Sequence, residues 1–176
     1  VVAAGGSNAQ TGVGDPYLPF REAIGMLTGD VSGKFAREMA PETVHRLRTA
    51  FVRSVQVLVE VAPELIGVFI PIGKLVGLAG KALAESTGWM DQLEALAVQE
   101  ESTAQAPPPL ADQSRIFEKV TAFVQELSAE MPLVLFLDDL QWADAASIGL
   151  LFHLARRIED HRVLIVGAYR PTDVAL

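Results

Sequence analysis

Two aspartates, Asp138 and Asp139, follow directly on the apolar run LVLFL at 133–137. Like charges at the mouth of a dry strand are costly unless something cationic sits beside them. An arginine, Arg170, ends the next apolar run, RVLIVGAY at 162–169. Carboxylates suit a hard divalent cation such as Mg²⁺, and a guanidinium suits phosphate oxygens. Together the three side chains could hold a metal and a phosphate. Taken one at a time they say less. An Asp pair after a strand also serves as a helix cap or a solvated turn, and Arg170 before Pro171 reads equally as a surface turn residue.

The three residues act together only if the chain brings them to one rim. Ile116, Val120, Phe123, Val124 and Leu127 recur at helical spacing and predict a helix face ahead of Pro132. The strand LVLFL follows. Asp144 is a good N-cap for a second helix, with Ile148, Leu151, Phe152, Ala155 and Ile158 as its expected apolar stripe. RVLIVGAY is the next strand. Helix, strand, helix, strand is the rhythm of a parallel α/β sheet. Both strands are apolar throughout, as expected of central strands covered on both faces. Ligands bind outside the carboxyl ends of such strands, where Asp138, Asp139 and Arg170 fall.

Upstream, an apolar run at the N-terminus leads into the loop GGSNAQTGVGD, and a short helix is expected at about Phe20–Leu27. Pro41 suits a helix start and Pro63 a helix end. Between them Val44, Leu47, Phe51, Val55 and Leu58 mark one face. LIGVFIPIGKLVGLAGKALA is very apolar. Charged residues and Pro71 interrupt it, and it falls short of the roughly 20 apolar residues a membrane span needs. A buried helix pair or partner-facing surface is the better reading. The segment STAQAPPPLADQ, with Pro107 to Pro109, cannot continue a helix and marks a linker. The expected organisation is therefore a strand and loop at 1–30, a helical insert at 41–101, a linker at 102–112 and two βα units at 113–176.

Composition narrows the classes. The chain has 176 residues, half of them hydrophobic and 20% charged, which is enough for one domain with a core. A net charge of −8 argues against a nucleic-acid-binding surface, which needs clustered Lys and Arg. There is no cysteine, so disulfides, thiolate zinc sites and thiol catalysis are excluded. His45, His153 and His161 are scattered without zinc-site spacing. The start at Val, with no signal-peptide pattern, and the stop just after a strand suggest a segment of a longer polypeptide.

LVLFLDDLQWADAASIGLLFHLARR followed by RVLIVGAYRPTDV resembles the second half of the nucleotide-binding domain of STAND-type, AAA-like P-loop ATPases. These are large regulatory ATPases found beside adenylate cyclase, transcription-activator and tetratricopeptide-repeat modules. QTGVGDPYLPFREAIGMLTGD is similar to the segment that follows the first βα unit there, and the middle of the chain matches weakly. The resemblance implies an α/β fold: part of a P-loop NTPase three-layer parallel sheet with a helical insert. It identifies Asp138 with the Walker B acid that holds Mg²⁺ through a water. Asp139 corresponds to the second acid, which orients or deprotonates the attacking water, and Arg170 to the sensor residue that reads the γ-phosphate. Mg²⁺ and ATP are the implied ligands, ATP or ADP being held in the full-length parent. The implied setting is a cytoplasmic signal-transduction switch coupled to neighbouring domains of the same polypeptide, with no direct nucleic-acid contact; oligomerisation stays open. Gln141 carries no firm role, and Trp142 is expected to pack.

One motif departs from the family. A phosphate-binding loop needs G-x-x-x-x-G-K-[ST], whose N–H groups cradle phosphates. GDVSGKF has its glycines one residue too close and Phe35 in place of the hydroxyl, while GVFIPIGKL is one residue too long and ends in Leu75. GLAGKA is shorter still, and GGSNAQTGVGD lacks a lysine. The loop is therefore expected upstream of Val1, and the isolated chain is expected to bind nucleotide weakly or not at all. Two alternatives stand beside this reading. A non-hydrolysing interaction or scaffold module derived from such a domain would keep the acids without the turnover. A receiver domain would need a phospho-accepting Asp at the tip of a later strand, where this chain has Tyr169-Arg170.

Overall fold

In a computed structural model, residues 1–9, 16–30, 34–70 and 110–173 are described. The order is β1 (Val2–Gly6), α1 (Leu18–Leu27), α2 (Lys34–Glu38), α3 (Pro41–Val61), α4 (Leu110–Glu130), β2 (Leu133–Asp138), α5 (Ala145–Ala155) and β3 (Val163–Gly167). Short 3₁₀ turns lie at Pro63–Leu65, Leu140–Trp142 and Pro171–Asp173.

The described strands form one parallel sheet in the order β1-β2-β3. Val2 pairs with Val134 and Gly6 with Asp138; Leu133 pairs with Val163 and Leu137 with Gly167. In-register neighbours share a face, so Ala3, Gly5, Leu135 and Leu137 point one way and Ala4, Gly6, Phe136 and Asp138 the other. Leu133, Leu135 and Leu137 are fully buried, and helix α1 lies on their side. Gly5 shows how closely it lies: a Cβ there would come within 1.8 Å of the Pro19 carbonyl oxygen, so no side chain fits. On the opposite face Phe35 of α2 packs over Gly6 and meets Phe136 edge-on at 6.5 Å between centroids. Helices thus flank both faces, the three-layer α/β arrangement expected.

The helices form where the apolar spacing places them. Leu47, Phe51, Val55 and Leu58 of α3 are buried, and Val44 half-buried. Pro41 opens that helix, and Pro63 lies just past its end. Ile116, Val120, Phe123, Val124 and Leu127 of α4 are all buried. Lys119 donates to the Val61 carbonyl at 3.0 Å, and Glu64 pairs with Arg115 at 2.8 Å, fastening the end of α3 to α4. Arg162 caps the other end of α4, its guanidinium donating to the Ser128 and Ala129 carbonyls. Cations at a helix C-terminus satisfy its orphan carbonyls and oppose its dipole.

Three expectations need correction or placement. The buried face of α5 runs through Ser147, Leu150 and Leu154 on to Ile158, whereas Phe152 is 66% exposed and Ala155 is also open. Nearly every residue of this helix is apolar, so periodicity could not choose the face. Packing chose it, with Gly149 turned to the ring of Phe117 on α4. Strand β3 is not covered on both faces: Leu164 is 57% and Val166 39% exposed. Finally, α4 starts at Leu110, within the stretch expected as linker. The rest of that linker, the insert beyond Ile70 and the Gly-Lys pairs at 73–74 and 80–81 lie outside the described residues. No helix of the described residues is long and apolar enough to cross a membrane.

Candidate functional site

The carboxyl ends of all three strands meet at one rim. Asp138 is the last residue of β2, and its carbonyl accepts from the Ser7 N–H at 3.1 Å, continuing the pairing with β1. Its side-chain Oδ1 accepts from the Asp139 N–H at 2.9 Å. Asp139 turns the chain off the sheet in a left-handed conformation (φ 53°, ψ 40°). Asp and Asn tolerate that region better than most residues, though at a cost of order 1 kcal/mol. On the β1 side, Glu22 of α1 accepts from the Gly6 N–H at 2.8 Å, which places a third carboxylate at the rim.

β2 and β3 stay paired past their last residues. Ala168 N–H donates to the Leu137 carbonyl at 2.8 Å, and Leu140 N–H to that of Ala168 at 3.0 Å. This carries Arg170 to the turn after β2, where its Nη2 lies 3.6 Å from Asp139 Oδ1 and its Nη1 4.0 Å from Asp173 Oδ2. The pair is partly exposed and water-screened, so its Coulomb energy is small. Its significance is placement, since an acid and a cation from different strands converge.

Asp144 takes the role expected of it. Its Oδ1 accepts from the N–H groups of Ala146 (2.8 Å) and Ser147 (3.0 Å), and its Oδ2 from the Ser147 hydroxyl and the Tyr17 N–H (3.2 Å). It caps α5 and ties that helix to the start of α1. Trp142 is 40% exposed, so it packs only in part.

The structure brings Asp139 and Arg170 into contact range and sets Asp138 beside them. Sequence reasoning left two members out. Glu22 sits on a different element, with no spacing rule linking it to the strand ends. Gln141 was visible in LQWAD, but its partners were not. Among the described residues, no group of three or more His, Cys, Asp or Glu is arranged to hold a metal. The adjacent carboxylates of Asp138 and Asp139 nevertheless fit what Mg²⁺ takes from a protein: one or two acids, the rest being water and phosphate oxygens.

Acids and an arginine thus gather at the carboxyl rim of a parallel α/β sheet, where ligands of such sheets bind. The chain belongs to the AAA ATPase domain family, whose model matches residues 6–166. Comparison with curated proteins and with solved structures returns no match.

Proposed function

We propose that this chain supplies the metal- and water-handling half of an ATP site in a regulatory, STAND-type ATPase. The observation that carries the reading is the 3.6 Å approach of Arg170 to Asp139, beside Asp138 at the end of the central strand. Asp138 would hold Mg²⁺ through a water, and Asp139 would orient the attacking water and take its proton. Arg170 would leave its partly exposed partners for the γ-phosphate, a charge-assisted contact stronger than the one it gives up. Mg²⁺, when bound, would supply neutralisation of the phosphate oxygens. No Gly-Lys pair in this chain has the form of a phosphate-gripping loop, so on this reading the phosphate grip is supplied by another part of the full-length protein. Nucleotide state would then gate neighbouring domains of a cytoplasmic signalling protein.

Thermal-shift titration with Mg-ATP tests the division of labour. The isolated chain should show no saturable stabilisation at micromolar ligand, whereas the full-length protein should. Saturable stabilisation of the isolated chain would overturn the assignment. A second reading, a non-hydrolysing docking module, draws support from the exposed Phe152, Leu164 and Tyr169. It predicts full signalling by an Asp139→Asn protein that hydrolyses nothing.

A further inference from the structure

Asp139 leaves β2 in a left-handed conformation, and no side chain caps the 3₁₀ turn that follows. The hydrogen bond on its carboxylate comes from one side chain. Gln141 donates from Nε2 to Asp139 Oδ1 at 2.8 Å, and its Oε1 accepts from the backbone N–H of Arg170 at 3.1 Å. The orientation of this amide is forced by chemistry: a backbone N–H can only donate and an ionised carboxylate can only accept, so a flipped amide would lose both bonds. Gln141 therefore adds one side-chain rung to the β2–β3 ladder, beyond the last backbone rung at Leu140 and Ala168.

We propose that Gln141 is the positioning residue of this site, one amide that sets the carboxylate of Asp139 and the backbone of Arg170 in a fixed relation. The inference rests on the nucleotide reading above and adds a role to it. The amide takes up Oδ1 only; among the described residues Asp139 Oδ2 has no hydrogen-bond partner. A neutral donor holds the acid without adding charge, so the arginine side chain remains free to exchange partners while its backbone stays anchored. The same bridge couples the two strand ends: a shift of Arg170 towards a phosphate is felt at Asp139.

The test uses the full-length protein and two variants. Gln141→Ala removes both bonds. Gln141→Glu keeps an acceptor for the Arg170 N–H but replaces the donor to Asp139 with a like charge. Both should lose roughly 10- to 100-fold in kcat, with the Kd for Mg-ATP within about twofold of wild type, because misplacement of a base costs turnover and not binding. Amide hydrogen exchange at Arg170 should speed up in the Ala variant and stay near wild type in the Glu variant. A purely structural rung predicts the opposite for the Glu variant, namely wild-type kcat, and that result would overturn the proposal. So would a Kd that rises in step with the fall in kcat. If the wild-type protein itself hydrolyses no ATP, the nucleotide reading fails and this role with it. The exchange measurement would still show whether the bridge forms, so the two failures are told apart.

Discussion

Asp139 and Asp144 stand in the same acidic loop, yet their carboxylates are held in opposite ways. The carboxylate of Asp144 is saturated: three backbone N–H groups and a hydroxyl converge on it, and it joins two helices. That of Asp139 is held at one oxygen by a neutral amide, faces a loosely placed arginine, and among the described residues has no hydrogen bond at its other oxygen. Donor count separates the roles. A saturated carboxylate has no capacity left for a ligand, while a half-held one is aimed and still available. Residue type does not distinguish them.

The contrast can be broken in three ways. The largest effect is expected from Asp139→Asn in the full-length protein. If Asp139 takes the proton, kcat should fall by about 10²–10⁴-fold. Asn tolerates the left-handed backbone, so stability should stay within about 0.5 kcal/mol in denaturant unfolding. Substantial turnover in this variant would remove Asp139 from the chemistry. Next comes Asp144→Ala. Loss of an N-cap should cost about 1–2 kcal/mol and lower Tm by roughly 2–8 °C, with much less effect on turnover. Normal stability with abolished hydrolysis would reverse the two assignments.

The smallest effect concerns the helix that Asp144 caps. Burial, helped by the charge of Arg157 and opposed by Glu118, lowers the pKa of His153 from its usual 6.5. Among the described residues its buried Nε2 has no hydrogen-bond partner, and the ring meets Phe117 edge-on at 5.3 Å. A depressed histidine leaves stability untouched well above 6.5, where folded and unfolded chains are both neutral. Below 6.5 the unfolded chain takes the proton first, so stability drains away as pH falls towards the lowered folded value. The urea midpoint should therefore drop from pH 7 to pH 5 by less in His153→Gln than in wild type. Equal slopes would show that the imidazole is solvated in solution.

Much of this architecture could be read from one-dimensional spacing. The faces of α3 and α4 have three- and four-residue periodicity with polar residues between, so their buried sides were visible. Strand β2 and the capping by Asp144 were visible too, because a strand stop and a helix start have local chemistry. The face of α5 was not, since an almost wholly apolar helix offers no contrast to read. Covering of β3 was inferred from its apolar run, but Leu164 and Val166 remain open; composition reports what could be buried, not what is. Within the site, Asp138, Asp139 and Arg170 stood out as charges at strand ends. Glu22 accepts from Gly6 on another element, and Gln141 bridges its near neighbour Asp139 to the distant Arg170, pairings that spacing cannot reveal.

The parallel pairing of β1 with β2 carries a consequence for how the molecule is made. Val2 lies against Val134, so 132 positions separate the partners. At about 5–20 residues per second a ribosome needs roughly 7–26 s to deliver the second strand after the first. Throughout that interval β1 has no mate within the described sheet, because its only neighbour there is β2. Pulse-labelled nascent chains should bind holdase chaperones through the β1 segment and release them once β2 has cleared the exit tunnel.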